Sequence, residues 1–497
     1  MKDKKSYDII IAGGGLGGLC CGTILSKDGY NVCLLEKNSV IGGCLQSFRR
    51  DGRILDTGVH YIGSLDDGQI VNQYFRYLGI LDKLRMKKMD ESGFDRIVYG
   101  EENFDFAIGH DRFVDTLSRK FPSERGNLRK YTALLRSIGE LIDVEMLKKG
   151  VFTGGDTKYF SESAYGKILQ LVKDEKLRNV LVSTSILYGG VRERSSFYHH
   201  AVINNSYIES AYRMTNGSQQ IADSLVDEIR KNGGTVLNSA EVTRFIAEGD
   251  RVLGVEINGV EVLTAESYIS DIHPQKTLEL TDKTSAIKRV YINRIKSLAN
   301  SFGIFSLYLI MKRGSQPYVN KNIYIHTLGD VWYKDKIGPE IESCMINYQS
   351  SGDDNGCEVV TLLVPMDISC LERWYDTRPD ERGEDYLAFK EDYSRRILKF
   401  VKSYGYDFEG KIEKMYSTTP LSFRDYTATK DGSAYGIVKD CRYPEACFVP
   451  IRSKLKNMFF TGQNVNLHGV LGVTLTAMLT CSEFVGQEYL ARKVGSV

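Results

Sequence analysis

A chain of 497 residues is too long for one simple core and predicts two or three structural units, its 42% apolar and 26% charged residues being ordinary for a globular protein. A net charge of +1 with no block of like charge excludes an electrostatic case for nucleic acid as a partner. Ten cysteines at irregular spacings, with no CxxC pair, fit neither a disulfide framework nor zinc, so no metal is expected and the thiols read as free in a reducing cytoplasm.

Met1 to Lys5 run directly into the first apolar segment, which argues against a cleaved signal. Tyr7 to Ala12 has strand length, Gly13-Gly14-Gly15-Leu16-Gly17-Gly18 is a turn, Leu19 to Lys27 suits a helix, and Asn31 to Glu36 is a second strand. The unit is βαβ with a dinucleotide fingerprint. Gly13 permits the tight turn, Gly15 lets the backbone approach a pyrophosphate, and Gly18 allows close packing of helix on strand. The helix N-terminus offers free N–H groups to the phosphates. Glu36 is placed to accept hydrogen bonds from a ribose and would repel a 2′-phosphate, which favours FAD or NAD over NADP.

The uncharged run Ile9 to Leu25 competes as a membrane-spanning helix. Its glycines, each costing ~1 kcal/mol in a helix, and the charges of Asp8 and Lys27 at its ends favour strand, turn and helix. No other stretch approaches the ~18 to 20 apolar residues needed to span a bilayer, while peripheral membrane contact stays open.

Further along, Gly42-Gly43 lets the backbone approach the same nucleotide closely. The segment Asp56-Thr57-Gly58-Val59-His60 sets one histidine among small and apolar residues, where a structural role is the commoner one. Residues 69 to 187 read as mainly helical, with a long apolar face from Tyr131 to Ile142. Aromatic residues then cluster from Phe197 to Tyr212, as core, interface or the lining of a pocket for an extended apolar substrate.

Thr215-Asn216-Gly217-Ser218 starts a helix that continues to Lys231, and Thr235 to Leu237 starts another strand. Glu241 to Glu248, Arg251 to Ile257 and Val260 to Glu266 form an antiparallel meander, with Asn258-Gly259 as a hairpin turn, ahead of a strand from Tyr268 to Asp271. Flavoproteins of the glutathione-reductase type have such a meander in place of a crossover helix, so it favours FAD over NAD. Strand-like runs return between 288 and 430, at Ser306 to Ile310 and Val359 to Val364, with a charged amphipathic segment from Asp385 to Tyr404. Near the C-terminus a strand ends at Thr461, Gly462 allows approach to a ligand, and a helix begins near Gly469, its N-terminus suited to negative charge on a flavin ring or pyrophosphate.

The fingerprint, Ile41-Gly42-Gly43-Cys44, Asp56 to Gly63, Thr419-Pro420-Leu421-Ser422-Phe423, Gly432-Ser433-Ala434-Tyr435-Gly436 and Phe460-Thr461-Gly462-Gln463-Asn464 together resemble the phytoene desaturase, carotenoid isomerase and retinol saturase family of FAD-dependent oxidoreductases. The segment from Asp56 to Gly63 is closest to the retinol saturase branch, whereas Cys44 stands where many desaturases have arginine.

The resemblance implies an α/β fold: a glutathione-reductase-type FAD-binding Rossmann domain, discontinuous in sequence at 1–68, 214–287 and 431–497, interleaved with a mixed α+β substrate domain at 69–213 and 288–430. It implies FAD contacts at Gly13, Gly15, Leu16, Gly17, Gly18, Glu36, Lys37, Gly42, Gly43, Gly58, His60, Tyr61, Val242, Gly462, Gln463, Asn464, Gly469, Val470, Gly472 and Val473. It also implies hydride transfer between flavin and a carbon of a long apolar polyene, such as a carotenoid or retinoid, in either direction. His60 or Tyr61 is the candidate to position or protonate substrate, with His468 behind them. A flavoprotein amine oxidase and a non-catalytic flavin-binding protein are the alternatives, and no second fingerprint identifies an electron partner.

Overall fold

The computed structural model describes residues 6–142, 158–349 and 356–496. Its first sheet is built around the strand Ser6–Ala12, which runs parallel to Val32–Leu35 on one side and to Glu261–Ser270 on the other. Thr235–Leu237 extends the sheet beyond Val32–Leu35, and Met458–Phe460 lies parallel to the end of Glu261–Ser270. A central parallel strand is covered on both faces, which is why Ile9-Ile10-Ile11-Ala12 is apolar without alternation, each residue being at most 1% exposed.

The helix Leu16–Lys27 is buried from Leu16 to Ser26 and packs against the helices Gln219–Lys231 and Gly469–Val485. A Cβ on Gly22 would stand 2.8 Å from Ile229 Cδ1, so the helices meet at small residues. Its uncharged character reflects burial inside the protein. Among the described residues no helix is long and apolar enough to cross a membrane.

The meander comprises Val242–Glu248, Arg251–Ile257 and the first residues of Glu261–Ser270. Here the expected third strand and the expected strand at 268–271 are one continuous strand. Its start, Glu261 to Leu263, pairs antiparallel with Val255 to Ile257, and its remainder runs parallel to Ser6–Ala12. One strand thus serves both the hairpin and the parallel sheet, because the twist that ends one pairing begins the other.

A second seven-stranded sheet has the order Ile412–Thr418, Gly303–Met311, Val359–Met366, Ser343–Gln349, Asn322–His326, Asp95–Tyr99, Glu102–Phe106. Its last two strands correct the mainly helical reading of 69–187. Each has five residues: Asp95–Tyr99 is held by parallel pairing with Asn322–His326, a partner that local propensity cannot reveal, and Glu102–Phe106 pairs antiparallel with Asp95–Tyr99 at the edge. The part of that reading that falls on 143–157 lies outside the described residues. Phe305, Leu307 and Leu309 pack with Tyr393, Ile397 and Val401 of the helix Gly383–Ser403, while Tyr324, Met345 and Leu363 join the core shared with the first sheet.

The helix Phe197–Glu209 carries the aromatic cluster and is capped by Ser196, whose side chain accepts the His199 N–H. After it, Ala211–Met214 pairs with Ile62–Gly63 and Met86–Lys88. These pairings bring the aromatic helix beside the chain that leaves the glycine-rich segment.

Candidate active site

A cavity of about 560 Å³ runs past the carboxyl ends of the first sheet's parallel strands, where open α/β sheets bind ligands. Gly13, Gly15, Leu16, Gly17, Glu36, Lys37, Gly42, Gly43, Gly58, Val242, Gln463, Asn464, Gly469, Val470 and Val473 all line it. Gly18, Gly462 and Gly472 stand behind the wall. A Cβ on Gly18 would collide with the Gly13 carbonyl oxygen, on Gly462 with the Asp271 carboxylate, and on Gly472 with Leu467. They make the cavity by letting its walls close on each other.

The floor is the glycine turn and the N-terminus of the helix Leu16–Lys27, whose N-cap, Gly15, supplies no side-chain cap. Glu36 is buried, with Oε2 accepting from Gly14 N at 2.8 Å and Oε1 from Asn38 N at 2.8 Å. Each oxygen keeps a further lone pair for a ligand hydroxyl. Lys37 is turned away, donating to the Asp425 carbonyl at 2.7 Å. These features suit a dinucleotide: an acid for a ribose, a helix N-terminus for a pyrophosphate, and no side chain where the backbone must come close.

Asp271, read from the sequence only as the end of a strand, closes this floor. It follows the strand Glu261–Ser270, and its Oδ2 accepts from Gly18 N at 3.0 Å. A Cβ on Gly15 or Gly17 would stand 2.7 or 2.6 Å from its carboxylate oxygens. Burial pushes its pKa up to about 7 against the Gly18 hydrogen bond, and the Glu36 charge adds to the rise. The available signal was an acid directly after a strand parallel to the first, legible only once that pairing is known.

His60 and Tyr61 do not line the main cavity. His60 is half-buried, and burial, then the Arg213 charge, hold its pKa down at about 4. Tyr61 is 4% exposed and faces the second sheet: its hydroxyl donates to Asp95 Oδ2 at 3.0 Å and lies 2.7 Å from the Tyr324 hydroxyl. Its ring stacks on Tyr207, centroids 4.2 Å apart. Asn322 Nδ2 donates to the other Asp95 oxygen at 2.9 Å, and Arg213 donates to Asn322 Oδ1 at 2.8 Å. Burial lifts Asp95 to about 7, opposed by the bonds from Asn322 and Tyr61 and by the Arg213 charge.

A small apolar groove of about 50 Å³ lies beside the cavity, with Gly469 and Val470 common to the walls of both. Ile62, Leu187, Val202, Ile203, Tyr207 and Leu471 form most of its wall, together with His468. Tyr435, on the cavity wall, has its ring centroid 5.1 Å from that of His468. The aromatic helix therefore forms one side of an apolar groove next to the dinucleotide cavity, and its sequence signal was the run of aromatic residues.

Residues 11–78 match the family model of an NAD(P)-binding Rossmann-like domain. The chain is 25% identical to the all-trans-retinol 13,14-reductase of Homo sapiens across 96% of its own length and 85% of that protein. It is 24% identical to a 4,4'-diapophytoene desaturase (4,4'-diapolycopene-forming) of Methylomonas sp, over 61% of this chain and 60% of the other. Among solved structures, wild-type putrescine oxidase bound to putrescine superimposes with a TM-score of 0.63 at 14% identity, over 97% of this chain and 99% of that one. The Rossmann α/β fold class is borne out, and the motif-based family resemblance extends to nearly the whole chain.

Proposed function

We propose that this chain, as a relative of the retinol saturases within the phytoene desaturase, carotenoid isomerase and retinol saturase family, is an FAD-dependent oxidoreductase acting on carbon–carbon bonds of a long apolar polyene. The observation that carries the reading is the glycine-lined dinucleotide cavity with an apolar groove beside it, Gly469 and Val470 being common to both walls. Glu36 would hold the adenosine ribose, the glycine turn the pyrophosphate, and the N-terminus of Gly469–Val485 the flavin's pyrimidine side. FAD supplies hydride chemistry when bound, while the protein orients the substrate and keeps water out.

Under this reading 1–68, 214–287 and 431–497 form the cofactor unit, and 69–213 with 288–430 the substrate unit. Asp95 fixes Tyr61, which supports the Tyr207 wall of the groove and so aligns the substrate. His60 and Tyr61 are proposed to position substrate or deliver a proton, and replacing them by alanine and phenylalanine tests this: full single-turnover rates in both variants would remove them from the mechanism. Substrates of this class partition into bilayers, so peripheral contact between a cytoplasmic protein and the inner membrane surface is part of the proposal.

Amine oxidation is the weaker reading, since putrescine oxidase shares the fold at 14% identity and brings no substrate with it. The experiment is anaerobic mixing of the reduced, flavin-loaded protein with a panel of polyenes, followed by visible absorption. Return of oxidised-flavin bands with one polyene establishes a reductase. Flavin that stays reduced with every polyene, but is reduced from the oxidised form by one, establishes a desaturase. Reduction of the oxidised flavin by diamines, with peroxide formed once oxygen is admitted, overturns the reading.

A further inference from the structure

Part of the cavity wall comes from a segment far from the glycine turn in sequence. Arg424, Tyr426, Thr427, Ala428, Thr429 and Lys430 line the same cavity as Glu36, at the end of the helix Pro420–Thr427 and just beyond it. A helix leaves its last carbonyls without intrahelical partners. Two of them are met here by the residues that directly follow Glu36: Lys37 Nζ donates to the Asp425 carbonyl at 2.7 Å and Asn38 Nδ2 to the Tyr426 carbonyl at 3.2 Å. The Asn38 N–H donates to Glu36 Oε1 at 2.8 Å. One tripeptide therefore carries the acid proposed for the ribose and both donors to this helix end.

The segment is anchored on the side of the proposed substrate unit as well. Asp425 is ion-paired with Arg382 and Arg424, and Arg424 donates to the carbonyls of Tyr375 and Thr377. Ala428, at φ +56°, then turns the chain through the left-handed region that residues other than glycine seldom adopt. Thr429 is 2% exposed, its hydroxyl 3.1 Å from that of Thr427, and Tyr375 donates its hydroxyl to the Lys430 carbonyl at 2.9 Å. Tyr426, at 57% exposed, stands out from this anchored backbone where it lines the cavity. An open aromatic side chain near the ribose acid is complementary to the face of a purine base.

We infer that residues 425–430 wall the adenosine end of the dinucleotide site, and that Lys37 and Asn38 are positioning residues that hold this wall to the ribose acid. This rests on the proposed reading of the cavity as an FAD site and adds the part of that site supplied by the stretch assigned to the substrate unit. Lys37 serves the cofactor through the Asp425 carbonyl, without touching it. The adenosine half is held between the Glu36 tripeptide and the helix end, so its binding tightens both.

The test uses the full chain, FAD-loaded and flavin-free, with amide exchange read by mass spectrometry and FAD affinity by flavin fluorescence. In the unaltered protein, exchange across 425–430 should slow at least tenfold with FAD, and also with ADP, the adenosine half alone, at a concentration that competes with FAD. No slowing with FAD overturns the inference without any variant. ADP that fails to compete, or competes without slowing exchange there, overturns the assignment to the adenosine end. Lys37→Met should raise the Kd for FAD at least tenfold and speed exchange across 425–430 in the loaded protein, with circular dichroism unchanged. Lys37→Arg, which keeps a donor, should stay within threefold of the unaltered Kd, and Asn38→Ala should raise it at least threefold. A Kd raised with exchange unchanged makes Lys37 a direct contact and overturns its positioning role, as does an unchanged Kd. An unaltered protein that binds neither FAD nor ADP is a different outcome and removes the dinucleotide reading itself.

Discussion

Asp95 is buried and Asp271 half-buried, desolvation lifts the pKa of each to about 7, and they act on different observables. Asp271 shares the glycine turn with the site for the pyrophosphate, so its ionisation opposes an anionic ligand. FAD affinity should fall several-fold between pH 6 and pH 8, and Asp271→Asn should flatten that dependence. Titrating flavin fluorescence in both proteins checks it, and parallel slopes would remove Asp271 from the cofactor site. Asp95 acts on stability. Between the ordinary carboxyl pKa of about 4 and the folded value near 7, the folded state holds a proton that the unfolded state has lost, so stability falls as pH rises across that window. Urea unfolding of the native protein should lose about 2–4 kcal/mol relative to Asp95→Asn over that interval. Neither role was legible in the sequence, where Asp95 is unremarked and Asp271 only ends a strand, because their desolvation comes from distant packing.

The helix Leu16–Lys27 shows how glycine positions divide into structural and incidental. A Cβ on Gly18 would strike the Gly13 carbonyl oxygen, which belongs to the turn itself and cannot move without reshaping the cavity floor. Gly18→Ala should therefore cost about 2 kcal/mol or more and abolish FAD retention, measured by flavin content after gel filtration and by urea unfolding. By contrast, Gly126 lies exposed in the helix Arg125–Gly139 with nothing near its missing Cβ. Gly126→Ala should stabilise by about 0.4–1 kcal/mol, and a destabilising result would show that this helix is held by something other than propensity. The first βαβ unit, the Asn258-Gly259 turn and the helix at Gly469 were legible because their signals are local. The strands Asp95–Tyr99 and Glu102–Phe106 were not: the first is a short segment paired with Asn322–His326 far along the chain, and the second pairs with the first.

At the scale of the molecule, the cavity walls come from the N-terminal glycine segment, the strand ends at Val242 and Asp271, and the C-terminal stretch from Asn464 to Val473. A ligand bridging them stabilises the folded arrangement by mass action. FAD at a hundredfold excess over its Kd should add about 2.7 kcal/mol to the unfolding free energy. If cofactor binding orders the groove as well, protection from amide exchange should rise along Phe197–Glu209 in addition to the glycine turn. Protection confined to the turn would separate the groove from the cofactor site energetically.

By itself the sequence determined the dinucleotide unit, its acid at Glu36, the meander and the closing strand and helix. Each is written in residues that are neighbours along the chain, where glycine conformation, apolar periodicity and turn chemistry act directly. Only the tertiary structure decided that Asp271 meets the glycine turn, that Tyr61 faces Asp95 instead of the main cavity, and that the rings of His199 and His468 lie nearly parallel with centroids 6.3 Å apart. These contacts join elements far apart in sequence, and their burial, which raises some pKa values and leaves other groups unpaired, is a property of the packed interior that no single stretch carries.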